Sequence, residues 1–160
     1  MNLIIMNRRG IIERAKRPFT DTTAIVSITD VGYPFAELEH QPQYRLEVAF
    51  NDVDGDVFLD ELGANPTIEE VRALEEKYQT LSDEQAVHIA QFYFDAASAE
   101  VDTFIVQCEY GQSRSAAVVA ALREFMNGDG IRIFADDRYY PNKIVFRKVL
   151  RALRGCVKAV

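Results

Sequence analysis

The chain has 160 residues, which suits one domain with a core large enough to fold without disulfides or a structural metal. The net charge of -7 argues against general binding to nucleic acid or to anionic membranes. No apolar run approaches the roughly 18 residues of a membrane span, and two cysteines do not make a secreted disulfide framework. We therefore expect a soluble, cytoplasmic protein with a single domain over residues 1–160.

The first part of the chain predicts three strands and an acidic loop. Residues 2–6 form a short apolar run, and residues 23–29 form a β-branched run typical of a buried strand. Residues 43–50 alternate apolar and polar side chains with the period of a strand. The acidic segment 51–56 lacks the glycine and glutamate spacing of a calcium loop, so we expect no metal there.

The second part of the chain predicts four helices around one buried strand. Two helices, at 67–79 and 82–98, each open with a capping-box pair. An apolar run at 101–107 predicts the fourth strand, and a helix that is apolar on nearly every side follows at 114–127. An amphipathic helix at 141–155 comes last.

The order of these elements predicts the fold class. Strands that alternate with helices indicate an α/β protein with a single central, mainly parallel sheet and helices on both faces. Ligands of such sheets bind beyond the C-terminal ends of the strands. The best place to look for a site is therefore the segment that follows the strand at 101–107.

That segment reads QCEYGQSRS and lies between a strand and a helix. Backbone N–H groups gathered there, together with the helix dipole, favour an anion. Gly111 allows a tight turn, and Arg114 can offer two parallel donors to a tetrahedral anion. The same field stabilises the thiolate of Cys108, which is the nucleophilic form. These residues predict phosphoryl transfer to Cys108, followed by hydrolysis.

The segment CEYGQSRS resembles the C-x-x-G-x-x-R-[ST] signature of cysteine-based protein tyrosine phosphatases, most closely the compact dual-specificity branch. The segments AIVSITD, VAFNDVD and YYPNKIVFRKVL resemble other parts of these domains, so roughly residues 20–155 follow the family's pattern. The resemblance implies a phosphatase that hydrolyses phosphotyrosine-type monoesters, with phosphoserine or phosphothreonine as further substrates. The reaction would need no cofactor, and the partner would be a phosphorylated protein or a small aryl phosphate.

The resemblance also implies a role for each residue of the motif. Cys108 would be the nucleophile, Arg114 the phosphate clamp, and Ser115 the group that helps the sulfur to leave. Asp52 would be the general acid, with Asp54 as the alternative. A solvated acidic loop is the simpler interpretation of both carboxylates. Phosphate would be bound by the backbone amides of Glu109, Tyr110, Gly111, Gln112, Ser113 and Arg114.

One residue departs from the family's pattern. The family usually has histidine immediately before the cysteine, and this chain has Gln107. A second hypothesis follows, in which the loop is a catalytically weak module that recognises phosphorylated partners without turnover. The intact Cys108, Arg114 and Ser115 favour the enzyme.

Other interpretations fit the sequence less well. A Cys–His hydrolase would need His40 or His88 and would leave Arg114 unexplained, and a sulfurtransferase loop is typically one residue shorter. We expect Cys156 to be a bystander, with a resolving thiol as the alternative.

The last helix is rich in basic side chains. Their spacing indicates a solvated face or a patch that steers an anionic substrate. They are Lys143, Arg147, Lys148, Arg151, Arg154 and Lys158.

Overall fold

The strands and helices follow one another much as the sequence predicts. The structure, a computed structural model, describes residues 1–53 and 55–158. The strands are β1 (Asn2–Asn7), β2 (Thr23–Thr29), β3 (Tyr44–Ala49) and β4 (Thr103–Cys108). The helices are α1 (Arg8–Arg14), α2 (Gly55–Glu61), α3 (Ile68–Tyr78), α4 (Asp83–Ser98), α5 (Arg114–Asn127), α6 (Ile131–Phe134) and α7 (Lys143–Lys158).

The four strands form one sheet in the order β1-β4-β2-β3. All three pairings are parallel, and Val26 of β2 lies opposite Val106 of β4. The predicted α/β fold with a central parallel sheet is therefore confirmed. Because the strands run in one direction, their C-terminal ends meet at a single edge, and β4, which carries Cys108, is flanked there by β1 and β2.

Helices cover both faces of the sheet. Alternate residues of a strand point to opposite faces, so Val26 and Val106 pack in one core with α4, α5 and α7. Ile25 and Ile105 point the other way and pack with Ile11 of α1 in a second, smaller core. Every residue of β2 is buried, which explains its continuous apolar and β-branched sequence.

Local signals in the sequence begin and end the helices as expected. Thr67 and Glu70 form a capping box at the start of α3, and Ser82 and Gln85 form another at the start of α4. The helix α5 ends at Gly128, whose φ of 69° is left-handed. Nine consecutive residues of α5, from 114 to 122, are buried, so this helix is the central one of its layer.

Three helices, α1, α2 and the four-residue α6, were not expected from the sequence. Residues 8–14 form α1, and Asn7 caps this helix by accepting a hydrogen bond from Gly10 N at 2.6 Å. Residues 51–56 are not a loop throughout, because α2 begins at Gly55. The last helix begins at Lys143, two residues later than expected. In the described part of the chain, none of the helices combines the length and the apolar character needed to cross a lipid bilayer.

Candidate functional site

Three side chains with reactive chemistry lie at the C-terminal edge of the sheet. Cys108 is the last residue of β4, Asp30 follows the last residue of β2, and Asp52 lies three residues beyond the end of β3. This is the edge at which ligands of parallel sheets bind. The segment 108–115 therefore lies where the sequence predicted a site.

Cys108 lies beneath the loop that joins β4 to α5. The residue is only 2% exposed, and its Sγ is 3.0 Å from Oγ of Ser115. Ser115 is fully buried in the first turn of α5. The serine hydroxyl is therefore fixed next to the sulfur and can donate a hydrogen bond to it.

The loop is held in place by its carbonyl groups. Glu109 O accepts a hydrogen bond from Arg8 N at 3.1 Å, and Gln112 O accepts one from Tyr140 N at 2.8 Å. Within the described ranges, no backbone N–H from residue 109 to residue 114 donates a hydrogen bond to the protein. Six consecutive amide donors are thus available to an anion, at the N-terminus of a helix whose dipole also favours negative charge.

Gly111 fixes the shape of this loop. Its φ is 65°, and a Cβ at this position would lie 2.7 Å from Asn7 N and 2.9 Å from Met6 C. A side chain here would meet rigid backbone as well as an unfavourable conformation. The close approach brings the loop against the end of β1, so the first strand forms one wall of the site.

Arg114 is anchored by one of its three guanidinium nitrogens. Nη1 donates to Asp30 Oδ1 at 2.6 Å and to the carbonyl oxygen of Phe50 at 2.7 Å. The side chain is 4% exposed. In the part of the chain that is described, Nε has no hydrogen-bond partner and Nη2 donates to no acceptor. The Nε–Nη2 edge is the one that can make two parallel hydrogen bonds to an oxyanion.

Asp52 lies close to Arg114 and to the start of α5. Its Oδ1 accepts hydrogen bonds from Ser113 Oγ at 2.9 Å and from Asn142 Nδ2 at 2.8 Å. Its Oδ2 is 4.0 Å from Arg114 Nε. Asn142 also caps α7, since its Oδ1 accepts from Ile144 N and Val145 N. The last helix therefore helps to position the carboxylate.

A cleft of about 500 Å³ opens beside these groups. The residues that line it include Asp52, Ser113, Tyr139, Tyr140 and Asn142. The opening is large enough for a phosphorylated side chain, and it brings carboxylate, hydroxyl and aromatic groups together next to the loop.

Gln107 directly precedes Cys108 in β4. It is 1% exposed, and its Oε1 accepts a hydrogen bond from Ser27 Oγ at 2.8 Å. Its Nε2 has no hydrogen-bond partner among the residues described. An unpaired buried amide nitrogen is costly, so this position stabilises the strand pairing of β2 and β4 less than it could.

Two residues of the site were missed by sequence reasoning. Asp30 directly follows a buried strand, as a ligand-facing residue in this fold class does, and this signal could have identified it. Asn142 precedes the last helix, where we noted it only as part of the family's pattern. Its contact with Asp52 joins positions 90 residues apart, and no local signal predicts such a contact.

The remaining candidates lie outside this cluster or outside the described residues. Asp54, the alternative acid, falls outside the described ranges. Cys156 and Cys108 are both free thiols, and Cys156 lies near the end of α7 beside Val87 and Gln91 of α4. Among residues 1–53 and 55–158, no three His, Cys, Asp or Glu side chains form a group that could hold a metal ion.

Comparison with known proteins adds no family to this description. The chain matches no protein-family model, and no curated protein is similar to it.

Proposed function

We propose that this protein is a phosphatase that hydrolyses phosphotyrosine-type monoesters through a phosphocysteine intermediate. The observation that carries the proposal is the relation between the thiol and the loop above it. Cys108 Sγ lies 3.0 Å from Ser115 Oγ, next to a loop whose six amide donors bond to no residue that the structure describes. A nucleophile combined with an oxyanion cradle is what attack on a phosphate monoester requires.

In the first step, the thiolate of Cys108 attacks phosphorus, so an S–P bond forms and the ester P–O bond breaks. The loop amides and the free Nε–Nη2 edge of Arg114 hold the three remaining phosphate oxygens. The departing phenolate or alkoxide takes the proton of Asp52, which lines the same cleft as Ser113.

In the second step, a water molecule attacks the phosphocysteine. The S–P bond breaks, inorganic phosphate forms, and the water's proton passes to the carboxylate of Asp52. Ser115 donates a hydrogen bond to the departing sulfur, which lowers the barrier by stabilising the developing thiolate. The chain's own residues thus supply every group that this reaction needs.

The direct test is hydrolysis of p-nitrophenyl phosphate by the purified protein. We expect release of nitrophenolate that is lost in Cys108→Ser and kept in Cys156→Ser, the matched control. Vanadate should inhibit this activity and should protect Cys108 from alkylation by iodoacetamide. Absence of hydrolysis in the wild-type protein, or full activity in Cys108→Ser, would refute the proposal.

A binding module that recognises phosphorylated partners is the second candidate. The observation that favours it is Gln107, which stands where the family has histidine and leaves its Nε2 unpaired. Binding of a phosphotyrosine peptide, lost in Arg114→Ala and not accompanied by release of phosphate, would support this candidate over the enzyme.

A further inference from the structure

The helix α7 carries two sets of basic side chains with different surroundings. Lys148 is buried and pairs with Glu75 at 2.6 Å and with Asp83 at 3.4 Å. The other set is exposed, and its members form no ion pair or hydrogen bond with any residue in the described ranges. They are Lys143, Arg147, Arg151 and Arg154.

The four exposed side chains lie in one row. Successive members are four, four and three residues apart, which is the spacing of one helix face. The row is about 16 Å long at about 1.5 Å per residue. Four unpaired cations on one face are a marked segregation of charge in a chain whose net charge is -7.

This row also borders three neighbouring depressions that share lining residues, the first of which is the candidate active-site cleft. Phe134 and Lys143 line both the cleft and the next depression along α7. Arg147 lines that depression and a third one, which continues past Arg151 to Arg154. We call this surface the α7 groove.

From this continuity we infer that the α7 groove binds an acidic, extended segment next to the phosphorylated residue of a protein substrate. The inference rests on the proposed function. A segment that leaves the cleft at Lys143 must follow the groove, where it meets three further cations. About five extended residues, at about 3.3 Å each, span the row.

The spacing of the charges favours an extended peptide. Cations four residues apart on a helix are separated by about 6 Å along its axis. Alternate residues of an extended chain face the same side and lie about 6.6 Å apart. Acidic side chains at every second position would therefore each meet a cation of the groove.

The acidic residues near the groove explain why a membrane is a poorer occupant. Asp56 lines the cleft at one end of the groove, and its negative charge disfavours anionic lipid headgroups there. Glu124 also lines the groove, but its carboxylate accepts a hydrogen bond from Gly130 N at 3.0 Å. A narrow acidic segment can follow the row of cations, whereas a flat anionic surface would also cover these carboxylates.

The test compares two phosphotyrosine peptides that differ only in their flanks. One has glutamate at every second flanking position, and the other has glutamine there. We expect the ratio of their kcat/KM values to be about ten in favour of glutamate at low salt, because exposed ion pairs each contribute a small factor. The ratio should fall towards one near about 1 M salt, where the screening length is about 3 Å.

The charge-reversal pair Arg147→Glu with Arg151→Glu should bring this ratio to one or below. The matched control is Arg17→Glu with Arg72→Glu, which changes the net charge equally at exposed positions that do not line the groove. We expect the control to keep the wild-type ratio. A wild-type ratio of one, or equal effects of both pairs, would overturn the inference.

Two further measurements separate this inference from the proposed function. Fluorescence anisotropy of the unphosphorylated glutamate peptide reports groove binding without turnover, so binding lost in the reversal pair supports the groove even if p-nitrophenyl phosphate is not hydrolysed. Normal hydrolysis of that ester with a peptide ratio of one contradicts the groove alone. Sedimentation with phosphatidylserine vesicles that depends on Arg147 and Arg151, together with a ratio of one, would assign the row to a membrane and overturn the inference.

Discussion

Asp30 holds the guanidinium of Arg114 through a 2.6 Å contact between Oδ1 and Nη1, although 84 residues separate the two. The Phe50 carbonyl accepts from the same nitrogen at 2.7 Å. These two acceptors fix the plane of the guanidinium and leave its Nε–Nη2 edge without a hydrogen-bond partner among the residues that are described, although Asp52 Oδ2 lies 4.0 Å from Nε. Asp30 thus positions the guanidinium of Arg114, and under the proposed function it would act on phosphate only through Arg114.

Replacement of Asp30 by asparagine should weaken phosphate binding without abolishing it. Nη1 would keep its bond to Phe50 O and lose a charge-assisted bond, so we expect kcat/KM for aryl phosphates to fall about tenfold. The inhibition constant of vanadate should rise in parallel, which a purely structural role would not require. Asp21→Asn, at an exposed position, is the control, and an unchanged vanadate constant in Asp30→Asn would contradict the positioning role.

Replacement of Arg114 by lysine should be far more damaging, although it keeps the positive charge. An ammonium is a point charge and cannot bond Asp30 and Phe50 O while presenting two parallel donors to phosphate. We expect kcat/KM to fall at least about a hundredfold, because a misplacement of about 1 Å can reduce the rate by that factor. Steady-state hydrolysis of p-nitrophenyl phosphate measures it, and near-normal activity would show that Arg114 is not the clamp.

Ser115→Ala should slow the second step of the reaction more than the first. The hydroxyl lies 3.0 Å from the sulfur, and in the proposed reaction it would stabilise the thiolate that leaves when water attacks. Stopped-flow measurement should show a rapid burst of nitrophenolate close to one equivalent of enzyme, followed by slow turnover. If the burst and the steady state decline by the same factor, Ser115 acts on both steps and the assignment is wrong.

Asp52→Asn should remove the general acid while preserving the local structure. The asparagine Oδ1 can still accept the hydrogen bonds from Ser113 and Asn142. General acid catalysis is worth about 10²–10⁴ in rate, so kcat on phosphotyrosine peptides should fall within that range. Esters whose leaving group is very acidic need no proton and should be affected less.

Asp54→Asn is the matched comparison for this variant. It should change kcat little if Asp52 is the acid. The reverse pattern would assign the acid to Asp54, and full activity in both variants would mean that the acidic segment is solvated surface.

Acid should weaken the turn that leads from α6 to the cleft. Hydrogen bonds from the Arg138 side chain and backbone lower the pKa of Asp136 from 3.8 to about 2. Because the folded-state pKa is the lower one, the stabilisation is present above about pH 4 and is lost as the pH falls towards 2. Urea unfolding should show that the stability difference between wild type and Asp136→Asn shrinks over this range. Asp137→Asn, at the neighbouring exposed position, is the matched control.

Much of the fold could be predicted because its signals are local. The β-branched run of β2 and the capping boxes of α3 and α4 each specify an element within a few residues. The helix α1 was missed because its buried face amounts to Ile11 and the following Ala15, too short a pattern to reveal a helical period. Asn7, the residue that caps α1, could equally end a strand.

The site could be predicted only where its residues are adjacent in sequence. The geometry of the segment 108–115 is determined locally, because strand, loop and helix follow one another directly. Asp30 and Asn142 reach the site through contacts that span 84 and 90 residues, and such partners depend on how the sheet and α7 pack. Asp52 was predicted from the family resemblance. Its position beside Arg114 is the geometric observation that favours it.

The hydrogen bond between Asp52 and Asn142 determines when, during folding, the site is completed. Contacts between distant positions form late, because closing a long loop costs entropy before any contact repays it. On a ribosome, which adds about 5–20 residues per second, the cysteine loop is made well before α7. A nascent chain would therefore carry its reactive thiol for some seconds before Asn142 can position the acid, and competence to turn over substrate would arrive only with the last helix.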